Sequence, residues 1–360
     1  MKKKIDFYLN LALNDRKALR YQLWMVWNRY TINSSIWLFS KISKSQNKFL
    51  TIHNRPMLAN AVGTWSDPLL AIPTIALVLQ GPLVLDNNFT LETIRLYKKH
   101  FTQSMIIVST WEGENADYLT KIKAEGVELI LNAKPAIVGI GNLNLQIVSS
   151  YNGIMRAKER GAAYVYKTRC DQRMYGVNIN EFLHNLITQF PLKKPSLLKQ
   201  RIIASSFSTL KYVPYLITDM FLFGHIDDML LYWSAKHDNR LGLEKMIRTV
   251  QDLNDAKVSE SYLCSEFLKA VGREVTWTIE DSWAAYADHF CIVDRQSLDL
   301  FWYKYNSYQE YSATRYDGIT NSQLLTFAEW FNLYSNSPNK VPVPEDILTL
   351  SRMDIIKPTA

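Results

Sequence analysis

Four short apolar runs, each cut off by a turn and separated from the next by a helix-length segment, constrain this chain more than any other feature. They are Thr74-Ile75-Ala76-Leu77-Val78-Leu79, Met105-Ile106-Ile107-Val108-Ser109, Val127-Glu128-Leu129-Ile130-Leu131 and Ala163-Tyr164-Val165-Tyr166-Lys167-Thr168. Such runs, rich in branched residues and bounded by turn signals, read as buried strands. Gln80-Gly81-Pro82 stops the first of them. Between the runs, residues 90–101, 114–125 and 142–160 carry helix signals, with Thr90 placed as a cap and Glu92 in the first turn. Strands alternating with helices at this spacing predict right-handed crossovers and a mainly parallel sheet flanked by helices on both faces. Past residue 176 the alternation loosens. Segments 202–205 and 221–223 read as strands, whereas 226–237, 258–271 and 320–334 read as helices. No internal repeat is visible. The texture divides the chain into an N-terminal segment 1–72, an α/β domain 73–334 and a Pro-bearing tail 335–360.

Charge is distributed unevenly over the 360 residues. The formal net charge is +7, yet residues 1–60 hold eleven Lys and Arg against Asp6 and Asp15, a balance of +9. The rest is nearly neutral at −2, which disfavours a nucleic-acid-binding domain. Among the N-terminal charges stand Leu23, Trp24, Trp27 and Tyr30 at helical spacing. A basic helix with aromatic anchors suits the surface of an anionic membrane, while a helix docked on the main domain would show the same pattern. No stretch is long and apolar enough to span a bilayer, and the lysines at 2–4 are not followed by a leader-like core. Cys170, Cys264 and Cys291 are odd in number and without metal-ligand spacing, which fits a reducing compartment. The expected location is therefore cytoplasmic, peripheral to the inner membrane.

Several chemistries lack their motifs: there is no phosphate loop, no Gly-x-Ser-x-Gly, no His-Glu-x-x-His and no paired Cys-x-x-Cys. What remains is the exit of the fourth strand, Arg169-Cys170-Asp171-Gln172-Arg173. Open α/β sheets bind ligands at the carboxyl ends of their strands. If the chain stays extended, alternation puts Arg169, Asp171 and Arg173 on one side. Two guanidiniums can then grip a diphosphate, and the carboxylate can hold a divalent metal or a sugar hydroxyl.

The stretch Asn144-Leu-Gln146, Asn152-Gly153, Gly161-Ala-Ala-Tyr164-Val165 and Asp171 resembles the nucleotide-sugar core of GT-A glycosyltransferases. More narrowly, Leu79-Gln80-Gly81-Pro82, Lys167-Thr-Arg169-Cys-Asp171-Gln-Arg173 and Asp219-Met-Phe221-Leu-Phe223-Gly224 resemble the WavE-type lipopolysaccharide-synthesis family over roughly residues 73–305. The resemblance implies a GT-A-like, Rossmann-related fold and a nucleotide-sugar site. It assigns Gln80 and Gly81 to the nucleotide, Asn144 and Gln146 to the base, ribose or donor sugar, and Lys167, Arg169, Asp171 and Arg173 to the diphosphate. The Asp-x-Asp metal motif of the broader GT-A pattern departs here to Arg-x-Asp, with Arg169 in place of the first Asp. Asp171 alone would hold Mg²⁺ or Mn²⁺, or Arg169 and Arg173 would neutralise the diphosphate without metal; both remain open.

An inverting transferase also needs a carboxylate to deprotonate the acceptor hydroxyl. GT-A enzymes commonly keep it at a helix start late in the domain, which Glu260 resembles, with Ser259 as the expected cap; Asp219 is the second choice. Glu280, Asp281, Asp288 and Asp294 are weaker. The expected function is transfer of a sugar from a nucleotide-sugar donor to a lipopolysaccharide or surface-polysaccharide acceptor, a glycan or lipid-linked glycan. The alternatives are a nucleotidyl- or phosphosugar transferase, for which Gln80-Gly81-Pro82-Leu83 is a poor phosphate loop, and a non-catalytic scaffold of polysaccharide assembly.

Overall fold

The computed structural model describes residues 16–45, 53, 55–63, 74–243, 246–247, 249–304, 324–336 and 342–343. The chain forms two compact units, Met1–Arg55 and Pro56–Ala360. In the first unit the described element is helix α1 (Arg16–Ser45). Among the described residues, no helix is long and apolar enough to cross a membrane. The N-terminal lysines and nearly all of the expected tail lie outside the described residues.

The second unit begins ahead of the first strand because residues 56–63 are tied to its first helix, α2 (Phe89–His100). The Ala59 amide donates to Glu92 Oε2 at 2.8 Å, and Lys99 Nζ donates to the Ala59 carbonyl at 2.9 Å. The unit then runs through β1 (Ile75–Gln80), α2, β2 (Met105–Trp111), α3 (Ala116–Ala124), β3 (Glu128–Asn132), α4 (Leu143–Glu159) and β4 (Tyr164–Arg169). Next come β5 (Gln172–Met174), α5 (Ile179–Gln189), β6 (Ile202–Ser205), β7 (Leu222–His225) and α6 (Ile226–Trp233). It closes with α7 (Val250–Ala256), α8 (Ser259–Ala270), α9 (Ile279–His289), β8 (Phe290–Val293), α10 (Arg295–Leu298), β9 (Leu300–Trp302) and α11 (Phe327–Ser335).

Seven strands form one sheet in the order β3-β2-β1-β4-β7-β6-β8, and β5 pairs with β9 in a separate two-stranded ladder. Strand β7 runs antiparallel to both its neighbours, and every other pairing in the large sheet is parallel. The architecture is thus α/β with a mainly parallel sheet flanked by helices. All six residues of β1 are buried, as are all four of β6 and β8, so both faces of the sheet are covered. Helix α4 lies against β1 and β2 at van der Waals range, and Gly153 permits it: a Cβ there would stand 2.4 Å from Val78 Cγ1.

The expected Thr90 cap is replaced by Asn88 in the left-handed conformation. Thr90 lies inside α2, where its hydroxyl accepts from the Val84 amide at 2.9 Å and donates to the Cys170 carbonyl at 2.9 Å. All three cysteines are free and buried.

Candidate functional site

The strand order reverses beside β1, since β2 and β3 extend to one side and β4, β7, β6 and β8 to the other. The crevice at the carboxyl ends of β1 and β4 is therefore the switch point at which open sheets take their ligands. Gln80 and Arg169 are register partners there. Gly81 leaves β1 with φ of +101°, a conformation that a side chain would strain, while its amide donates to the Ser109 carbonyl at 3.0 Å. Gln80 is buried, and its Oε1 accepts from Ser149 Oγ of α4 at 2.8 Å. Alongside, Asn132 Nδ2 donates to Ser109 Oγ at 2.9 Å, and Asn132 Oδ1 accepts from Asn152 Nδ2 at 2.8 Å. Buried hydrogen bonds of this kind fix the floor of the crevice.

The chain does not stay extended past β4. It turns at Cys170-Asp171 and re-forms as β5, which pairs with β9. This turn folds Asp171 back on Arg169. Nε of Arg169 donates to Asp171 Oδ1 and Nη2 to Oδ2, each at 2.8 Å. Trp302 Nε1 donates to Oδ2 at 3.1 Å, and the Tyr303 amide holds the Asp171 carbonyl at 2.9 Å. Burial works against the Asp171 charge, but the Arg169 bonds and the Trp302 indole outweigh it and hold the carboxyl below the usual range. Burial likewise opposes the Arg169 charge, and Asp171 reverses that, so the guanidinium's pKa is raised.

A second cluster lies beside the first. Because β7 is antiparallel to β4, Asp219, just before β7, reaches the same rim as Arg169. Lys167 is fully buried, and its Nζ donates to the Asp219 carbonyl and sits 4.6 Å from the Trp233 ring centre. Burial lowers its pKa to about 7 against the pull of Asp219. Glu260 opens α8, but the cap is Val258 rather than Ser259, whose hydroxyl instead donates to Glu260 Oε2 at 2.6 Å. Burial first, and then the Asp219 charge, raise the Glu260 pKa despite the bond from Ser259. The Tyr232 hydroxyl, the Trp233 indole N–H and the Ser261 hydroxyl are buried with no hydrogen-bond partner among the described residues. The charges of Asp219 and Glu260 both act on Tyr232.

The structure thus brings Gln80, Gly81, Arg169 and Asp171 to one rim, with Lys167, Asp219 and Glu260 beside it. It does not bring Arg173 there. With the chain turned, the Arg173 guanidinium runs into the interior and donates to Thr93 Oγ1 at 2.9 Å, the Met57 carbonyl at 2.8 Å and the Phe89 carbonyl at 2.9 Å. It anchors residues 56–57 and the start of α2. Asn144 is also spoken for: Nδ2 donates to the carbonyls of Ile137 and Asp238, and Oδ1 accepts from the Asp238 amide at 2.7 Å. Gln146 keeps a buried Oε1 without a hydrogen-bond partner among the described residues. The weaker acids serve structure: Asp281 and Asp288 bind Arg273 at 2.6 and 3.2 Å, and Asp294 accepts from the Phe327 amide at 3.1 Å.

Trp302 is the site residue that sequence reasoning missed. It stands 131 residues from Asp171 in no motif, and the visible signal is the aromatic run Leu300-Phe301-Trp302-Tyr303-Lys304.

Comparison with known proteins bears on identity. No curated protein matches the chain. Among solved structures it is similar to 4-diphosphocytidyl-2C-methyl-D-erythritol synthase from Anaerococcus prevotii, at 9% identity and a TM-score of 0.34, covering 62% of this chain and 89% of that one. It is also similar to a glycosyltransferase involved in glycosylation of the major capsid of PBCV-1, at 13% identity and a TM-score of 0.26, covering 45% and 66%. A third is mannose-1-phosphate geranyltransferase from Thermus thermophilus, at 11% identity and a TM-score of 0.28, covering 62% and 74%. Similarity at this level carries nothing about activity. The family model for WavE lipopolysaccharide synthesis, in contrast, matches residues 75–357, most of the chain and all of the rim. This chain belongs to the WavE lipopolysaccharide synthesis family.

Proposed function

We propose that the protein transfers a sugar from a nucleotide-diphosphate donor to a lipopolysaccharide or surface-polysaccharide acceptor. The observation that carries the reading is the Arg169–Asp171 pair at the β1/β4 switch point, with buried Asp219 and half-buried Glu260 beside it. In this reading the nucleotide lies along Gln80 and Gly81, and the diphosphate on Arg169. Glu260 takes the proton of the acceptor hydroxyl as its oxygen bonds to the anomeric carbon, while the bond from that carbon to the diphosphate breaks. Removing the proton as the bond forms is the work of a general base. The raised pKa of Glu260 suits it, because a base whose pKa approaches the working pH transfers protons most effectively. Burial raises that pKa first, and the neighbouring Asp219 adds to the rise.

Peripheral membrane contact is part of the proposal. On α1, Leu23, Trp27, Tyr30 and Trp37 are exposed. They recur along one stripe of the helix with Ser34 and Lys41. The hydroxyls of Thr31, Ser35 and Ser40 are turned back to the helix carbonyls of Trp27, Thr31 and Trp37. A helix that satisfies its own hydroxyls and exposes aromatics among basic residues suits an anionic lipid interface. The acceptor of such an enzyme would then be met at that surface.

A panel of nucleotide sugars read by thermal shift tests the donor assignment. At least one donor should raise the melting temperature by several degrees, since ligand binding to the folded state alone stabilises it. A flat response across uridine, guanosine, cytidine, adenosine and thymidine sugars would favour the scaffold instead.

A further inference from the structure

We infer that Arg169, held in place by Asp171 and Trp302, takes the position that a divalent cation holds in enzymes with two acids in this motif, and that Asp171 is not a metal ligand. The inference rests on the rim being the donor site. A divalent cation on Asp171 would need a carboxylate oxygen as a ligand, at about 2.0–2.6 Å. Both oxygens are already engaged: Oδ1 accepts from Arg169 Nε at 2.8 Å, and Oδ2 accepts from Arg169 Nη2 at 2.8 Å and Trp302 Nε1 at 3.1 Å. A cation placed there would meet the guanidinium charge at contact range, with both groups in a poorly screened site, as only 7% of Asp171 is exposed. The remaining ligands are also wanting. Among the described residues, no three His, Cys, Asp or Glu side chains come together as a metal group. The donor set does not fit a cation.

It does fit a diphosphate. Asp171 uses one edge of the guanidinium, leaving Nη1 and the second hydrogen of Nη2 without a hydrogen bond among the described residues, and 16% of the Arg169 side chain is exposed. A fork fixed along one edge presents the other in a set direction, the geometry that suits phosphate oxygens. Lys304 also stands near enough for its charge to act on Asp171. The rim therefore sets Arg169 and Lys304 around Asp171, with Asp219 also near enough for its charge to act on Arg169. Trp302 is itself propped. Phe207 meets its ring edge-on at 5.5 Å, and the Arg295 guanidinium lies 4.5 Å from the Phe207 ring centre. Asp171 and Trp302 are thus positioning residues, and Arg169 is the group that touches the donor.

The test titrates the full chain calorimetrically with UDP, GDP, CDP, ADP and dTDP, in EDTA and again in Mn²⁺, with Mn²⁺ binding followed by electron paramagnetic resonance. The expected result is that the best diphosphate binds within about twofold in both media, and that the Mn²⁺ signal is unchanged by Asp171→Asn. Arg169→Lys keeps the charge and loses the fork, and should weaken binding by about tenfold or more, the loss expected for a charge-assisted hydrogen bond. Trp302→Phe keeps the ring and loses the indole donor. It should raise the donor KM with little change in kcat, a split that a general loss of folding would not give. Binding that collapses in EDTA and returns with Mn²⁺ would overturn the inference alone, as would an Arg169→Lys protein that binds like wild type. Failure of every diphosphate in both media would remove the donor-site reading, and the inference with it.

Discussion

Lys167 puts a fully buried amine between a backbone carbonyl and an indole ring, and its stability effect has a definite sign. The folded chain releases the proton at about pH 7, whereas in the unfolded chain the group keeps its ordinary value of 10.5. Between these values the unfolded state holds more protons, so stability rises with pH. Urea unfolding of wild type should therefore show a gain from pH 7 to pH 9 that Lys167→Met lacks; equal slopes would contradict the assignment. Glu260 gives a kinetic counterpart. Its raised pKa places the acidic limb of the kcat/KM profile above the ordinary carboxylate value of 4.5. Asp219→Asn removes the second of the two causes, so the limb should move toward lower pH without reaching 4.5, because burial remains. A limb that stays in place would show that Asp219 does not act on the base.

At the scale of elements, the pairing of α4 with β1 is the contact that most exposes the design of the rim. A methyl at Gly153 overlaps Val78 beneath the β1 carboxyl end. Alanine is worth about 1 kcal/mol over glycine in a helix, yet overpacking typically costs about 1–3 kcal/mol. Gly153→Ala should therefore be neutral to destabilising by up to about 2 kcal/mol in denaturant unfolding, and should weaken donor binding by tilting α4. A more stable protein with normal donor binding would contradict the close-contact reading. The first four strands were legible because uninterrupted apolar runs between turns have few other solutions. The direction of β7 was not, since a four-residue strand carries no sign of its polarity. Helix α9 and strand β8 were missed where Ile279–His289 mixes acids, Trp and Tyr with no clean period. At the site, Arg169 and Asp171 were legible as a rim motif. Arg173 was misplaced, because alternation was carried through a turn that neither Gly nor Pro announces. The Arg169–Asp171–Trp302 arrangement joins strands far apart in sequence, and no local pattern encodes that.

The whole molecule combines a nearly neutral α/β unit with a basic, aromatic-bearing segment. Each basic residue near an anionic surface contributes about 1 kcal/mol, weakened by salt. The full chain should therefore sediment with phosphatidylserine-containing vesicles at low salt, and deletion of residues 1–55 should reduce this sharply while circular dichroism confirms that unit 56–360 remains folded. Equal sedimentation would show that the segment serves another purpose. The central claim, that the rim is a donor site served by a protein base, is tested most directly by release of nucleoside diphosphate from the donor that the thermal panel selects, with a lipopolysaccharide acceptor present, in wild type and Glu260→Gln. The account predicts unchanged donor affinity and a turnover lowered by about 10²–10⁴-fold, the usual worth of a general base. Near wild-type turnover in Glu260→Gln would contradict it.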